Sequence, residues 1–208
     1  EETERRDRKK EEAERNFLLY TGQLQKLNVP KLIHSDTSSG WSLMTWINGK
    51  KPTHINKKLI INICKFMEEL NERSELFKTQ TTKIGFAAEA LRCRQALPNS
   101  IIKRINKLAS KEPRSNSERQ MKIWFTDEVR KTAEDAICKF EKISNQPHWS
   151  PDFCELVLSP SDVGVHNMLQ NKGEIHYLDF EYAGWDDLAK FTADWVLQPE
   201  LPFLGTNV

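Results

Sequence analysis

Long stretches of helically spaced apolar residues occupy most of the chain, and short apolar runs cut by polar turns follow near its end. Residues 1–14 are nearly all charged, after which Phe17, Leu18, Leu19, Leu24 and Leu27 supply an apolar face; a helix is predicted over 6–26, polar at its start. Val29-Pro30-Lys31-Leu32-Ile33 then favours extended backbone, because proline fixes φ and biases the residue before it away from the helical region. Residues 41–47, rich in large apolar side chains and bounded by Ser38-Ser39-Gly40 and Asn48-Gly49, read as a buried strand. Asn48-Gly49-Lys50-Lys51-Pro52 reads as a turn and a lobe boundary.

Helical spacing returns with Leu59, Ile60, Ile63, Cys64, Met67 and Leu70. Two shorter helices are predicted over 87–97 and 101–108, divided at Pro98. Met121, Trp124, Phe125, Val129, Ala133, Ala136, Ile137 and Phe140 form a further stripe, predicted to be core rather than a cofactor contact. The period shortens after Pro151, where 154–158, 168–170 and 175–178 are β-like; a last helix is predicted over 188–197.

At 208 residues the chain can bury a real core in one or two domains. Its 38% hydrophobic and 29% charged residues suit a globular protein and exclude a disordered one. The 31 basic and 30 acidic residues nearly cancel, so nucleic-acid binding has no compositional support. Cys64, Cys93, Cys138 and Cys154 form no C-x-x-C pair; they read as reduced, mostly buried thiols of a cytosolic protein. No apolar run approaches the roughly 20 residues needed to span a bilayer. A cytoplasmic protein without membrane contact is expected, and residue 1 is Glu rather than Met, which suggests a piece of a longer gene product.

Chemistry concentrates in Leu158-Ser159-Pro160-Ser161-Asp162-Val163-Gly164-Val165-His166-Asn167 and, after a short hairpin, in Tyr177-Leu178-Asp179-Phe180-Glu181. Phosphoryl transfer needs a carboxylate to orient the attacking hydroxyl and oxygen ligands to hold magnesium on the phosphates. An Asp with an Asn five positions on supplies both from one loop, and of the ten aspartates here only Asp162, with Asn167, has that offset. Asp179, closing an apolar strand, supplies a second carboxylate. The competing local reading makes Asp162 an ordinary turn cap, since Ser-Pro-Ser-Asp is turn chemistry.

With these residues the chain resembles the aminoglycoside phosphotransferase and choline kinase superfamily. The resemblance implies an α+β, protein-kinase-like fold: a partial N-terminal lobe over 1–48 and a mostly helical C-terminal lobe over 49–208. It implies Asp162 as catalytic base, Asn167 and Asp179 as magnesium ligands, and ATP as phosphoryl donor to a hydroxyl of a small polar metabolite. Leu43-Met44-Thr45-Trp46-Ile47-Asn48-Gly49 is similar to the family's hinge, with Met44 as gatekeeper and the backbone of Trp46 and Ile47 facing adenine. Glu14 matches the glutamate that pairs with the ATP-binding lysine, with Glu11 and Glu12 as rivals. Gly184-Trp185-Asp186-Asp187 resembles the turn after the metal-binding strand, so that Glu181, Trp185 and Asp186 face the acceptor. Asp194 matches a helix aspartate that braces the catalytic loop.

Two departures accompany the resemblance. Pro160 stands where the family has a histidine, with His166 as a partial substitute in packing. The Gly-rich hairpin and lysine strand expected before Glu14 are absent from these 208 residues, and both ends look clipped. An inactive kinase-like binding module is the alternative expectation.

Overall fold

Apolar side chains enter the first helix only in its last turns, and there it packs. In the computed structural model, which describes residues 2–24, 26–53, 55–72, 84–93, 95–145 and 156–198 (backbone alone for 2–9), α1 spans Glu2–Thr21. Phe17, Leu18 and Tyr20 are fully buried, and the Tyr20 hydroxyl donates to the Leu70 carbonyl at 2.7 Å. The helix ends earlier than predicted. Gln23 N–H donates to Tyr20 O at 3.0 Å, a tightened last turn, although Leu24 and Leu27 still pack on the core.

β1 (Leu32–Asp36) and β2 (Trp41–Met44) form an antiparallel hairpin with Leu32 opposite Met44 and Asp36 opposite Trp41. Asp36 builds the turn: its carboxylate accepts from Ser38 N–H at 2.8 Å and from the Ser39 hydroxyl at 2.7 Å. The strand predicted over 41–47 stops at Met44 and is not buried, Trp41 being 48% and Trp46 86% exposed. A two-stranded ribbon packs one face only, so Ser42 and Met44 are half-buried while Trp41 and Leu43 alternate outward.

α2 (Lys57–Asn71) begins at Asn56, whose side chain accepts from Leu59 N–H at 3.0 Å. Leu59, Ile63, Phe66, Met67 and Leu70 are buried on one face. They meet Phe17, Leu18, Leu158, Met168, Tyr177 and Phe180 in one core, with Phe17 stacked on Phe180 at 4.5 Å and Phe66 on Tyr177 at 4.0 Å. Each such side chain contributes about 1.5–3 kcal/mol by leaving water.

The remaining strands of this unit carry the loops of interest. β3 (Leu156–Ser159) pairs antiparallel with β6 (Gly184–Asp187), and β4 (Met168–Asn171) with β5 (Glu174–Tyr177). Lys172 and Gly173 both have positive φ (48° and 88°), the backbone that a two-residue hairpin turn demands. β6 was expected to be a turn. It is a strand because β3 pairs with all four of its residues, and segment 85–87 adds to it: Trp185 N–H donates to Gly85 O at 3.0 Å and Ala87 N–H to Trp185 O at 3.1 Å. The same bonds correct the helix predicted over 87–97, whose first backbone groups are spent on Trp185 and, from Ala88, on Tyr182 O at 3.0 Å. α6 (Leu188–Val196) follows β6 and is capped by the Asp187 carboxylate, 2.9 Å from Lys190 N–H.

The protein forms two compact units, Glu1–Ala90 with Leu156–Val208, and Leu91–Glu155. The boundary placed between 48 and 49 lies inside the first, where Lys50 and Gln170 exchange backbone bonds of 3.1 and 2.7 Å. In the second unit α3 (Ala96–Ala109) is a single helix: Pro98 sits in its first turn, where a missing N–H costs nothing. α4 (Asn116–Trp124), a π-helical turn (Phe125–Val129) and α5 (Arg130–Ser144) run on continuously. The wider turn breaks the 3.6-residue spacing. Phe125, Val129, Ala133, Ile137 and Phe140 are half-buried and Met121 (61%) and Trp124 (58%) are exposed, so no residue of the predicted core stripe is buried. Cys64, Cys93 and Cys138 are free and exposed rather than buried, each lying on the solvent side of its segment; Cys154 lies outside the described residues. The class is α+β with small sheets, and no helix among the described residues is long and apolar enough to cross a membrane.

Candidate functional site

The loop between β3 and β4 is fixed from both ends. Asn71 of α2 accepts from Leu158 N–H at 2.8 Å and donates to Leu158 O at 2.9 Å, tying the strand that enters the loop. Pro160 is fully buried, and Ser161 takes a left-handed φ of 67° with its N–H on the Ser159 hydroxyl at 3.0 Å. The loop leaves through a 3₁₀ turn at Val165–Asn167. Asn167 is buried and its Nδ2 donates to Asp162 O at 3.2 Å, which leaves its Oδ1 as a free-facing acceptor. Leu178 N–H donates to Asn167 O at 2.9 Å, coupling this loop to the residue before Asp179.

Both oxygens of Asp162 are engaged. Oδ1 accepts from Gly164 N–H at 3.2 Å and from Gln198 Nε2 at 2.8 Å; Oδ2 lies 3.1 Å from His166 Nε2.

Asp179 stands at φ 63°, a left-handed conformation that costs a non-glycine residue on the order of 1 kcal/mol or more. Its carboxyl is held above the ordinary value by burial first and then by the charges of Glu181 and Asp162. Glu14 accepts from Phe180 N–H at 3.3 Å, and its carboxyl is raised chiefly by burial, with Asp179, Glu181 and Glu11 adding repulsion. Asp162, Asp179, Glu14 and Glu181 are thus brought together although they come from three separate parts of the chain. Lys10 answers one of them: its ammonium donates to Glu181 Oε1 at 2.8 Å and to the Tyr182 hydroxyl at 2.8 Å. That bond draws the Glu181 carboxyl below its usual value and raises Lys10 above the usual lysine value.

An open cleft of about 280 Å³ beside these groups is lined by Lys10, Glu11, Glu14, Gly40, Ser42, Met44 and Glu181. Met44 and Glu14 of the predicted nucleotide residues therefore share a cleft. Trp46 and Ile47 are not among its lining: Trp46 projects into solvent with its indole N–H on Asn48 Oδ1 at 3.0 Å, and Ile47 is half-buried. Trp185 is half-buried in β6. Asp186 does not face an acceptor. It is 0% exposed, bonded to Lys190 Nζ at 2.9 Å and to Asp187 N–H at 2.8 Å, because alternation along β6 turns it inward. Asp194 does not brace the loop; it is half-exposed and pairs with Lys190 at 2.6 Å one turn back on its own helix.

Lys10, Tyr182 and Gln198 were not found from sequence. Lys10 had a signal, lying one helical turn before Glu14 and on the same face. Gln198 had none, since only the fold brings it to Asp162.

Asp179 and Asn167 are the residues that could hold a metal beside Asp162. Among the described residues no three His, Cys, Asp or Glu side chains form a cage for a metal, and the oxygens on offer are those of Asp179 and Asn167. Magnesium is held by such a sparse set when phosphate oxygens and water complete its shell. A carboxylate crowded by others is also one short of positive charge. Compared with models of known protein families and with curated protein sequences, the chain gives no match.

Proposed function

We propose that this protein is a phosphotransferase of protein-kinase-like fold, moving the γ-phosphoryl of ATP to a hydroxyl of a small polar metabolite. The observation that carries the reading is the convergence of Asp162, Asn167 and Asp179, with Asp179 in a left-handed backbone and its carboxyl raised by burial and then by neighbouring carboxylates. In this reading Asp162 orients the acceptor hydroxyl and receives its proton. The acceptor oxygen bonds to the γ-phosphorus as the bond to the bridging oxygen breaks, and that electron pair leaves with ADP. Asp179 and the Asn167 Oδ1 would hold magnesium, which when bound supplies positive charge against the phosphate oxygens. Glu14 buttresses the backbone after Asp179, and Met44 lines the cleft that would take the nucleotide, with the Trp46 and Ile47 backbone next in chain.

The test is ATP turnover by the full-length protein with amino alcohols, sugars and aminoglycosides as acceptors, beside Asp162→Ala and Asp179→Ala. Acceptor-dependent ADP release that both variants lose is the expected result; unchanged turnover in both would remove the assignment. A binding module without transfer is the second reading, favoured by one observation. Lys10, the cation among the described cleft residues, is committed to Glu181 and Tyr182. Nucleotide binding without ADP release would favour that reading.

A further inference from the structure

We infer that Gln198, just past the end of α6, is a positioning residue that fixes the Asp162 carboxylate for proton abstraction, an inference that rests on the phosphotransferase reading for its catalytic half. The carboxylate has two softly hindered rotations, and an orienting base must be held in one of them to accept a proton along a defined line. Gly164 N–H alone, two residues away at 3.2 Å, makes only a local turn of a kind found in many loops. The shortest bond to Asp162 comes instead from Gln198 Nε2 at 2.8 Å, 36 residues further along the chain.

Packing around that bond is specific. A side chain at position 164 would run into Gln198 Oε1 and the His166 ring, so a glycine there is what allows both groups to close on Asp162. His166 Nε2 holds the other carboxylate oxygen at 3.1 Å, so the two side chains approach from either side. Gln198 is itself held, since Leu197 N–H closes the helix on Ala193 O at 2.9 Å and fixes the chain from which the side chain reaches back. The residue type also suits the task, since a neutral amide N–H gives the carboxylate a directional hydrogen bond.

Gln198→Glu is the decisive variant because it keeps size and the Oε1 oxygen but removes the donor and sets two carboxylates against each other. Gln198→Ala is its partner, and an unchanged amide fingerprint and melting temperature establish that both have folded. In turnover assays with magnesium and ATP, kcat should fall by about tenfold to a hundredfold while the KM for ATP stays within about twofold, since Gln198 does not line the cleft. A purely structural role would change neither in a folded variant, or both together, and either outcome overturns the proposal.

A second readout needs no activity. One Gln198 side-chain amide proton should resonate downfield in the wild-type protein and return to the position of a free amide in Asp162→Ala. Identical Gln198 amide resonances in the two proteins overturn the clamp itself. A resonance that responds to Asp162 in a protein that transfers no phosphate would instead refute the phosphotransferase reading, and with it the catalytic half of this inference, leaving Gln198 as the group that orders the loop.

Discussion

Asp179→Asn removes one charge from a cluster of carboxylates while keeping the side chain's shape. In the wild type, burial and then the charges of Glu181 and Asp162 hold the Asp179 carboxyl above its ordinary value of 3.8. For an acid raised on folding, the charged form destabilises the fold. The penalty is absent below the ordinary value, grows as pH climbs toward the folded value and is complete above it. The carboxylate is partly solvated, so screening leaves about 1 kcal/mol or less. Asn is well tolerated at the φ of 63° found here, so the exchange adds no backbone strain. The variant should therefore be more stable at pH 7 by roughly 0.5–1 kcal/mol, or about 1–4 °C in Tm for a chain of this size. Thermal unfolding followed by circular dichroism between pH 3.5 and 8 measures this, and the advantage should shrink as pH falls. Saturating magnesium and nucleotide should reverse the order, adding about 2.7 kcal/mol to the wild type at a hundred times Kd and little to the variant. A variant less stable than wild type at neutral pH, or an advantage that widens in acid, would refute the argument from crowded charge.

Three further outcomes are expected. Asp186→Ala should cost about 1–3 kcal/mol in urea denaturation by removing the buried one of Lys190's two carboxylate partners, whereas Asp194→Ala should cost less than about 1 kcal/mol; equal losses would contradict this ranking. Gly164→Ala should push the Gln198 and His166 side chains off Asp162, reducing turnover at a stability cost of about 1 kcal/mol or less, and unchanged turnover would mean that these two side chains do not hold Asp162 for the reaction. Phe180→Ala should cost about 3–5 kcal/mol by opening the stack on Phe17, read from the urea midpoint; a loss under about 1 kcal/mol would show that this stack does not hold α1 to the site.

The central elements of the first unit were legible because their signals are local. The apolar face of α2 repeats at helical spacing, the hairpin strands show as short apolar runs at 168–170 and 175–178, and the offset from Asp162 to Asn167 needs no tertiary information. What sequence missed depends on partners far away in the chain. β6 looks like a turn alone and becomes extended by pairing with β3, and segment 85–87 looks like a helix start alone and spends its backbone groups on Trp185. Asp186 and Asp187 are indistinguishable as letters, but strand alternation buries the first against Lys190 and leaves the second to cap α6. Trp41 and Trp46 look like core by composition, but a two-stranded ribbon has no second layer to cover Trp41, and Trp46 lies past its end. The apolar stripe over 121–140 carries a π-helical turn that spacing does not announce, and its members ahead of that turn, Met121 and Trp124, are exposed.

The central claim is that Asp162, Asn167 and Asp179 form a magnesium-dependent site for nucleotide phosphates. Calorimetric titration of a non-hydrolysable ATP analogue into the full-length protein, with and without magnesium and with Asp179→Asn alongside, tests it most directly because no acceptor has to be known. Binding that weakens by more than about tenfold when either magnesium or the Asp179 carboxylate is removed is the result predicted. Binding that ignores both, or no binding in any arm, would contradict it.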